Sequence, residues 1–279
     1  MQIPFFWARA SGDATSPEGK RLSLFAWGWS LTTRADAEQG ARDRLARMVA
    51  RVGKGEDLPK RYQYGERAIR EERLEDLSGA DGSTVMVVTR NRYGALVLNA
   101  SAAMFIDVDL PPDEPGGLMS MFKKKTDPAE PVLASVRGAL AALAPRSFRI
   151  YRTAAGFRVL ALDREYQPAS AETTDIMTKV GADPAYVQLC RAQTSFRARL
   201  TPKPWRCRHT TPPGDFPRDD PALQQRFEQW LTGYDAACAG HATCRFVEQL
   251  GQAPTAAAVA PVLALHDRLT LADSGLPLA

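Results

Sequence analysis

Between Ser83 and Leu110 the chain reads "STVMVVTR", "NRYG", "ALVLNAS" and then "MFIDVDL". Apolar runs this short, rich in β-branched residues and set off by turn residues, fit strands better than helices. They predict three successive strands with a Gly-containing turn between the first two. "PPDEPGG" ends the third, because proline removes ladder donors and glycine admits turn conformations. In "SFRIYRTAAGFRVLALD", Phe148 and Ile150 alternate before "TAAG", and Phe157, Val159 and Ala161 alternate after it. That pattern predicts a hairpin turning at Ala154 to Gly156, which adds two strands to the same sheet.

Helical spacing interrupts the strands. After a strand over "KRLSLFAWGWS", Thr32 or Thr33 is placed to cap a helix in which Ala35, Ala41, Leu45, Met48 and Val52 share a face, with Gly53 as a stop. Asp127 and Pro128 open a second helix to about Leu143, and Ser170 caps a third that ends at Gly181. A short helix follows Asp183 and Pro184, then "TSFRARL" alternates Phe196, Ala198 and Leu200 with Arg197 and Arg199, as a strand with one basic face does. Helices are expected from Pro221 to Leu250 and from Thr255 to Leu271, the second interrupted near Pro261. The second half of "KGEDLPKRYQYGERAIREERLEDL" is expected to be helical.

This order predicts an α+β fold: a mostly antiparallel sheet with helices packed on one face, plus a C-terminal helical segment. A Rossmann or TIM-barrel reading would need regular βα alternation and a Gly-rich first turn, which are missing. Three segments are expected: an N-terminal strand-helix unit with a basic and aromatic loop over 1–82, an α+β core over 83–206, and a linker with a helical tail over 207–279.

No apolar run approaches the roughly 20 residues that span a bilayer. The opening "MQIPFFWARASG" lacks a basic n-region, so the cytoplasm is the expected location, with no membrane partner. Four cysteines in 279 residues do not make a disulfide scaffold. A net charge of +4 permits an anionic partner without requiring one.

The chemistry concentrates in "FIDVDL". Side chains alternate along a strand, so Asp107 and Asp109 share a face, about 5 to 7 Å apart, while Ile106, Val108 and Leu110 take the other. Like charges this close must be protonated, paired with arginines or bridged by a cation, and carboxylates suit Mg²⁺ or Mn²⁺. Two plainer readings stand beside that one: an exposed strand end, or arginines that neutralise the pair structurally.

The "MFIDVDL" strand, the hairpin "YRTAAGFRVLAL" and "DPAYVQLCRAQTSFRARLTPKPW" together resemble the catalytic core of the archaeo-eukaryotic primase superfamily, over roughly residues 83–206. The resemblance implies an RRM-like core and a metal-dependent nucleotidyltransferase that binds nucleotides and single-stranded nucleic acid. By that likeness Asp107 and Asp109 are the metal-binding and catalytic pair. Asp183 is the third acid, with Asp163 as its competitor. Thr153 and Gly156 lie in a nucleotide-contacting hairpin, and Arg197, Arg199 and Lys203 contact phosphates. Arg158 stands where that family carries histidine; arginine still grips a triphosphate, so binding is expected to survive the exchange better than polymerisation. The alternative is a catalytically inactive module on the same fold that binds nucleic acid or a protein; a scaffold without phosphate chemistry is a third reading.

Other groups invite separate readings. Arg149, Arg152 and Arg158 interleave with Tyr151 and Phe157, as on a sheet that stacks single-stranded bases. Tyr62, Tyr64, Arg67 and Arg70, and Lys123 to Lys125, fit either solvated loops or anion-binding segments. Cys207, His209, Cys238, His241 and Cys244 contain enough ligands for zinc, although a helical stripe of core residues explains the last three equally well. His266 sits in an apolar helix and reads as a satisfied surface or core residue.

Overall fold

The computed structural model of the protein describes residues 1–58, 68–79, 81–112 and 127–279. Tyr62, Tyr64, Arg67 and Lys123 to Lys125 lie outside them. The fold is mixed α+β, and its strands pair antiparallel throughout the named ladders.

The first unit is a ribbon of β1 (Phe6–Thr15) and β2 (Arg21–Ser30), covered by α1 (Arg34–Gly53). β1 forms where the sequence suggested only an apolar patch. Thr33 caps α1 by accepting from the Asp36 N–H. Gly28 lets the helix close on the ribbon, since a Cβ there would lie 2.0 Å from the Ala37 carbonyl oxygen.

Two four-stranded sheets follow, where the sequence suggested one. The first runs β3 (Glu72–Ser78), β4 (Thr84–Arg90), β5 (Leu96–Ala100), β9 (Phe196–Arg199). β3 corrects the helix expected there: pairing with β4 overrides the helical propensity of "EERLEDL", whose charges suit a solvent-facing edge. The second sheet runs β10 (Cys244–Leu250), β7 (Phe148–Thr153), β8 (Gly156–Ala161), β6 (Phe105–Asp109). β6 therefore leaves its sequence neighbours β4 and β5 to pair with β8. β10 corrects the long C-terminal helix: α5 (Pro221–Cys238) stops, and "CRFVEQL" becomes an edge strand against β7.

α2 (Ala129–Ala141) and α3 (Ala171–Val180) place Leu133, Val136, Leu140, Ile176, Met177 and Val180 in one core with Ile106, Val108, Ile150 and Val159 of the second sheet. α6 (Ala260–Thr270) lies against the opposite face, its His266 ring centred 5.1 Å from Phe105 and 4.8 Å from Tyr151. Helices thus cover both faces rather than one. Pro261 sits in the first turn of α6, where its missing N–H costs nothing, and so starts the helix instead of interrupting it. No helix among the described residues is long and apolar enough to cross a membrane.

The edges of the two sheets meet at β6 and β9. α4 (Pro184–Gln193) ties them: Tyr186 Oη lies 3.1 Å from the Phe105 carbonyl oxygen and 2.9 Å from that of Arg197, and it accepts from the Arg197 N–H. This seam positions the site.

Candidate functional site

A cavity of about 380 Å³ opens at the seam, and Asp107, Asp109, Thr153, Arg158, Asp183, Arg199 and Lys203 line it. Residues far apart in sequence are brought together by the antiparallel register, which sets Asp107 against Arg158 and Asp109 against Gly156. Gly156 is needed for that approach: a Cβ would lie 2.0 Å from the Val108 carbonyl oxygen. Its role is therefore to let β8 close on β6, and it does not line the cavity. Thr153 Oγ1 accepts from the Gly156 N–H at 3.0 Å, and Arg152 donates to the carbonyl oxygens of Thr153 and Gly156, so the hairpin turn is fixed by its own residues.

The two candidates for a third acid are placed differently. Asp183 caps α4 by accepting from the Ala185 N–H, its own N–H donates to the Asp107 carbonyl oxygen, and it lines the cavity. Asp163 instead lies 3.4 Å from the Tyr166 hydroxyl, away from the lining.

Two of the cations expected on phosphates are committed elsewhere. Arg158 is 3% exposed and holds Asp107 through Nε at 2.8 Å and Nη2 at 3.3 Å, while Nη1 donates to the Arg199 carbonyl oxygen. Burial opposes its charge, and Asp107 more than offsets that, so its pKa rises. The structural reading of the aspartate pair therefore holds at Asp107. Arg197 does not reach the cavity; it pairs with buried Glu71 at 2.7 Å and donates to Asn99, while Thr89 donates to the same carboxylate. That network satisfies a buried acid rather than offering a ligand site.

The remaining charges in the cavity are of both signs. Asp109 has its pKa raised by burial and then by the neighbouring Asp107 and Asp183 carboxylates. Lys203 and Arg199 partly offset that rise, and both line the same cavity together with Arg206. Burial, followed by repulsion from Arg158, pulls Arg199 down to about 10. Lys203 is lowered by burial and by Arg199 and Arg206. Among the described residues no carboxylate forms a salt bridge with any of the three. Asp107 and Asp109 offset part of that cost for Arg199 and Lys203 respectively, yet burial and mutual repulsion still win, so a further anion would stabilise these crowded cations.

Behind Arg158 lies His266, the satisfied surface or core residue of the sequence reading, here fully buried in the core. His266 Nε2 is 3.4 Å from Arg158 Nη1, and its Nδ1 is 2.9 Å from Asp267, which also accepts from Tyr151 and pairs with Arg149. A charged residue beside a histidine in an otherwise apolar helix was the available signal. Arg206 was equally legible, three residues after Lys203 on a basic segment.

The other expectations fail on burial. Tyr151 and Phe157 are 0% and 2% exposed, so the second sheet presents no stacking face through them. The candidate zinc ligands are dispersed: Cys207 and Cys238 pack in a small core with Phe227, Trp230 and Tyr234, His209 contacts the rings of Trp230 and Tyr234, and Cys244 belongs to the main core. His241 Nδ1 meets the Ala237 carbonyl oxygen at the end of α5. Burial raises the Cys238 thiol to about 12 and Cys244 to about 11, which keeps both protonated. Among the described residues no three His, Cys, Asp or Glu side chains form a ready metal cage.

Comparison with known proteins finds no family model, curated protein or solved structure that matches the chain. The likeness to the primase superfamily therefore rests on the residues that carry it.

Proposed function

We propose that this cavity binds the phosphates of a nucleotide together with a divalent cation, on a divergent primase-like core. The observation that carries the proposal is the convergence on one open cavity of the Asp-x-Asp strand, Asp183, Thr153 and three cations that form no salt bridge among the described residues. Arg199, Lys203 and Arg206 supply the charge for phosphate oxygens, and Thr153 lines the approach.

The donor set fits a hard cation. Asp109 is a carboxylate whose charge is disfavoured by burial and by two acidic neighbours, and a dication relieves that penalty. No protein-only cage is required, because Mg²⁺ and Mn²⁺ are commonly held by one or two carboxylates plus the phosphates of a substrate. Asp109 would hold the ion with Asp183 or the outward lone pairs of Asp107. Once bound, it would supply charge neutralisation at the phosphates.

Nucleotidyl transfer is the activity that the resemblance implies, with Asp107, Asp109 and Asp183 as the catalytic acids. One observation favours the second reading, a binding module that does not turn over: both Asp107 oxygens are engaged by Arg158. Calorimetry with a non-hydrolysable nucleoside triphosphate tests the shared part. Binding should require Mn²⁺ or Mg²⁺ and weaken at least tenfold in Asp109→Asn; metal-independent binding indifferent to that change would contradict it. Template-directed incorporation of labelled nucleotide then separates the readings: product is expected from the transferase and none from the module.

A further inference from the structure

Trp205 is 49% exposed, although burial is the usual way to stabilise an indole of its size. Its position follows from the short 3-10 turn Pro204–Cys207, in which Pro204 and Cys207 are buried. Cys207 is fixed in the small core with Phe227, Trp230 and Tyr234, so the residues between the two anchors, Trp205 and Arg206, are forced outward. The turn of Asn91 to Gly94 meets them from the first sheet. Gly94 seats that turn against Trp230, where a Cβ would lie 2.2 Å from the ring, and Tyr93 meets Trp205 edge-on with centroids 5.2 Å apart. Among the described residues Phe5 and Phe25 are as exposed, each with an arginine over its ring, but neither lies beside the cavity. Trp205 does stand beside it. Lys203 Nζ, which lines it, is 5.4 Å from the indole centroid, and Trp205 itself is not part of the lining.

A ligand matched to this rim must bring an anionic group for Lys203 and Arg206 and a flat π-face for the indole. We infer that Trp205, backed by Tyr93, stacks a base of a single-stranded nucleic acid whose neighbouring phosphates lie on Lys203 and Arg206. The inference rests on the phosphate-binding reading of the cavity and extends it. Because the ring lies outside the lining, the stacked base belongs to a nucleotide beyond the one whose phosphates occupy the cavity. Stacking on an aromatic ring is tolerant of base identity, so the rim would grip a strand without reading its sequence.

The test compares a labelled oligothymidylate, an abasic oligonucleotide of the same length, a nucleoside triphosphate and inorganic tripolyphosphate at one fixed low salt concentration. Wild type should bind the oligothymidylate more tightly than its abasic counterpart. Trp205→Ala should weaken the oligothymidylate by about tenfold and leave the abasic strand and tripolyphosphate unchanged, and Trp205→Phe should recover most of the loss. An unchanged oligothymidylate affinity, or equal losses on the based and abasic strands, overturns the platform while tripolyphosphate binding keeps the phosphate reading intact. An equal loss on the nucleoside triphosphate assigns the ring to the bound nucleotide itself and overturns the strand. Failure of wild type to bind any of the four overturns both readings.

Discussion

Arg158 meets Asp107 by two donors while its own side chain is 4% exposed, and a guanidinium that deep tolerates its charge only through such a partner. Asp107→Ala is therefore expected to destabilise the fold by about 3 kcal/mol, near the lower end of the range for breaking a buried pair, because the aspartate is 34% exposed. Urea unfolding measures this, and Asp107→Leu with Arg158→Met should recover much of the loss; strictly additive losses would show that the two do not act as a pair. Loss of function in Asp107→Ala would thus mix folding with binding, which makes Asp109→Asn the cleaner probe of the cavity. His266, fully buried beside Arg158, has its pKa lowered by burial first. The unfolded chain then binds the proton more readily, so the stability from neutral His266 is present above pH 6.5 and is lost as pH falls below it. His266→Gln should flatten the stability profile over that window, and an unchanged slope would show that His266 does not set it. Sequence periodicity placed Asp107 and Asp109 on one face, yet it left open whether metal or arginine neutralises them. That choice depended on the β6–β8 register, since a slip of one residue would turn every side chain of the strand to the other face.

At the scale of elements, most strands and helices were legible where periodicity and punctuation agreed. The hairpin of β7 and β8, the Ser170 cap and the Gly181 stop of α3 follow from local residues alone. β3 and β10 were misread because their character is set by a partner: each is an edge strand whose sequence does not exclude a helix, β3 held by the neighbouring β4 and β10 by the sequence-distant β7. The same fact gives the C-terminal segment a structural duty that its sequence hides. β10 extends the second sheet, and α6 covers the face that carries Arg158 and Tyr151. A fragment of residues 83–206 should accordingly fail to give a dispersed amide NMR spectrum, whereas one extended through 279 should give native-like dispersion for the second sheet. A well-dispersed spectrum from the shorter fragment would make residues 207–279 dispensable to the core.

Across the whole molecule, a net charge of only +4 conceals a local concentration of charges of both signs. The seam between two sheets collects Asp109, Asp183, Arg199, Lys203 and Arg206 around one cavity, and none of these contributions is visible in composition. Both the zinc set and the aromatic sheet face looked plausible as strings of residues and dissolved once burial was known, because buried rings and thiols serve the core. The central claim is that the cavity's carboxylates take a divalent cation and its Arg and Lys side chains take phosphate. Anomalous scattering from crystals grown with Mn²⁺ and a non-hydrolysable nucleoside triphosphate tests it most directly. The account predicts a manganese peak beside Asp109, with the phosphates on Arg199, Lys203 and Arg206. A nucleotide bound elsewhere, or an ordered triphosphate in this cavity with no metal peak at saturating Mn²⁺, would contradict it.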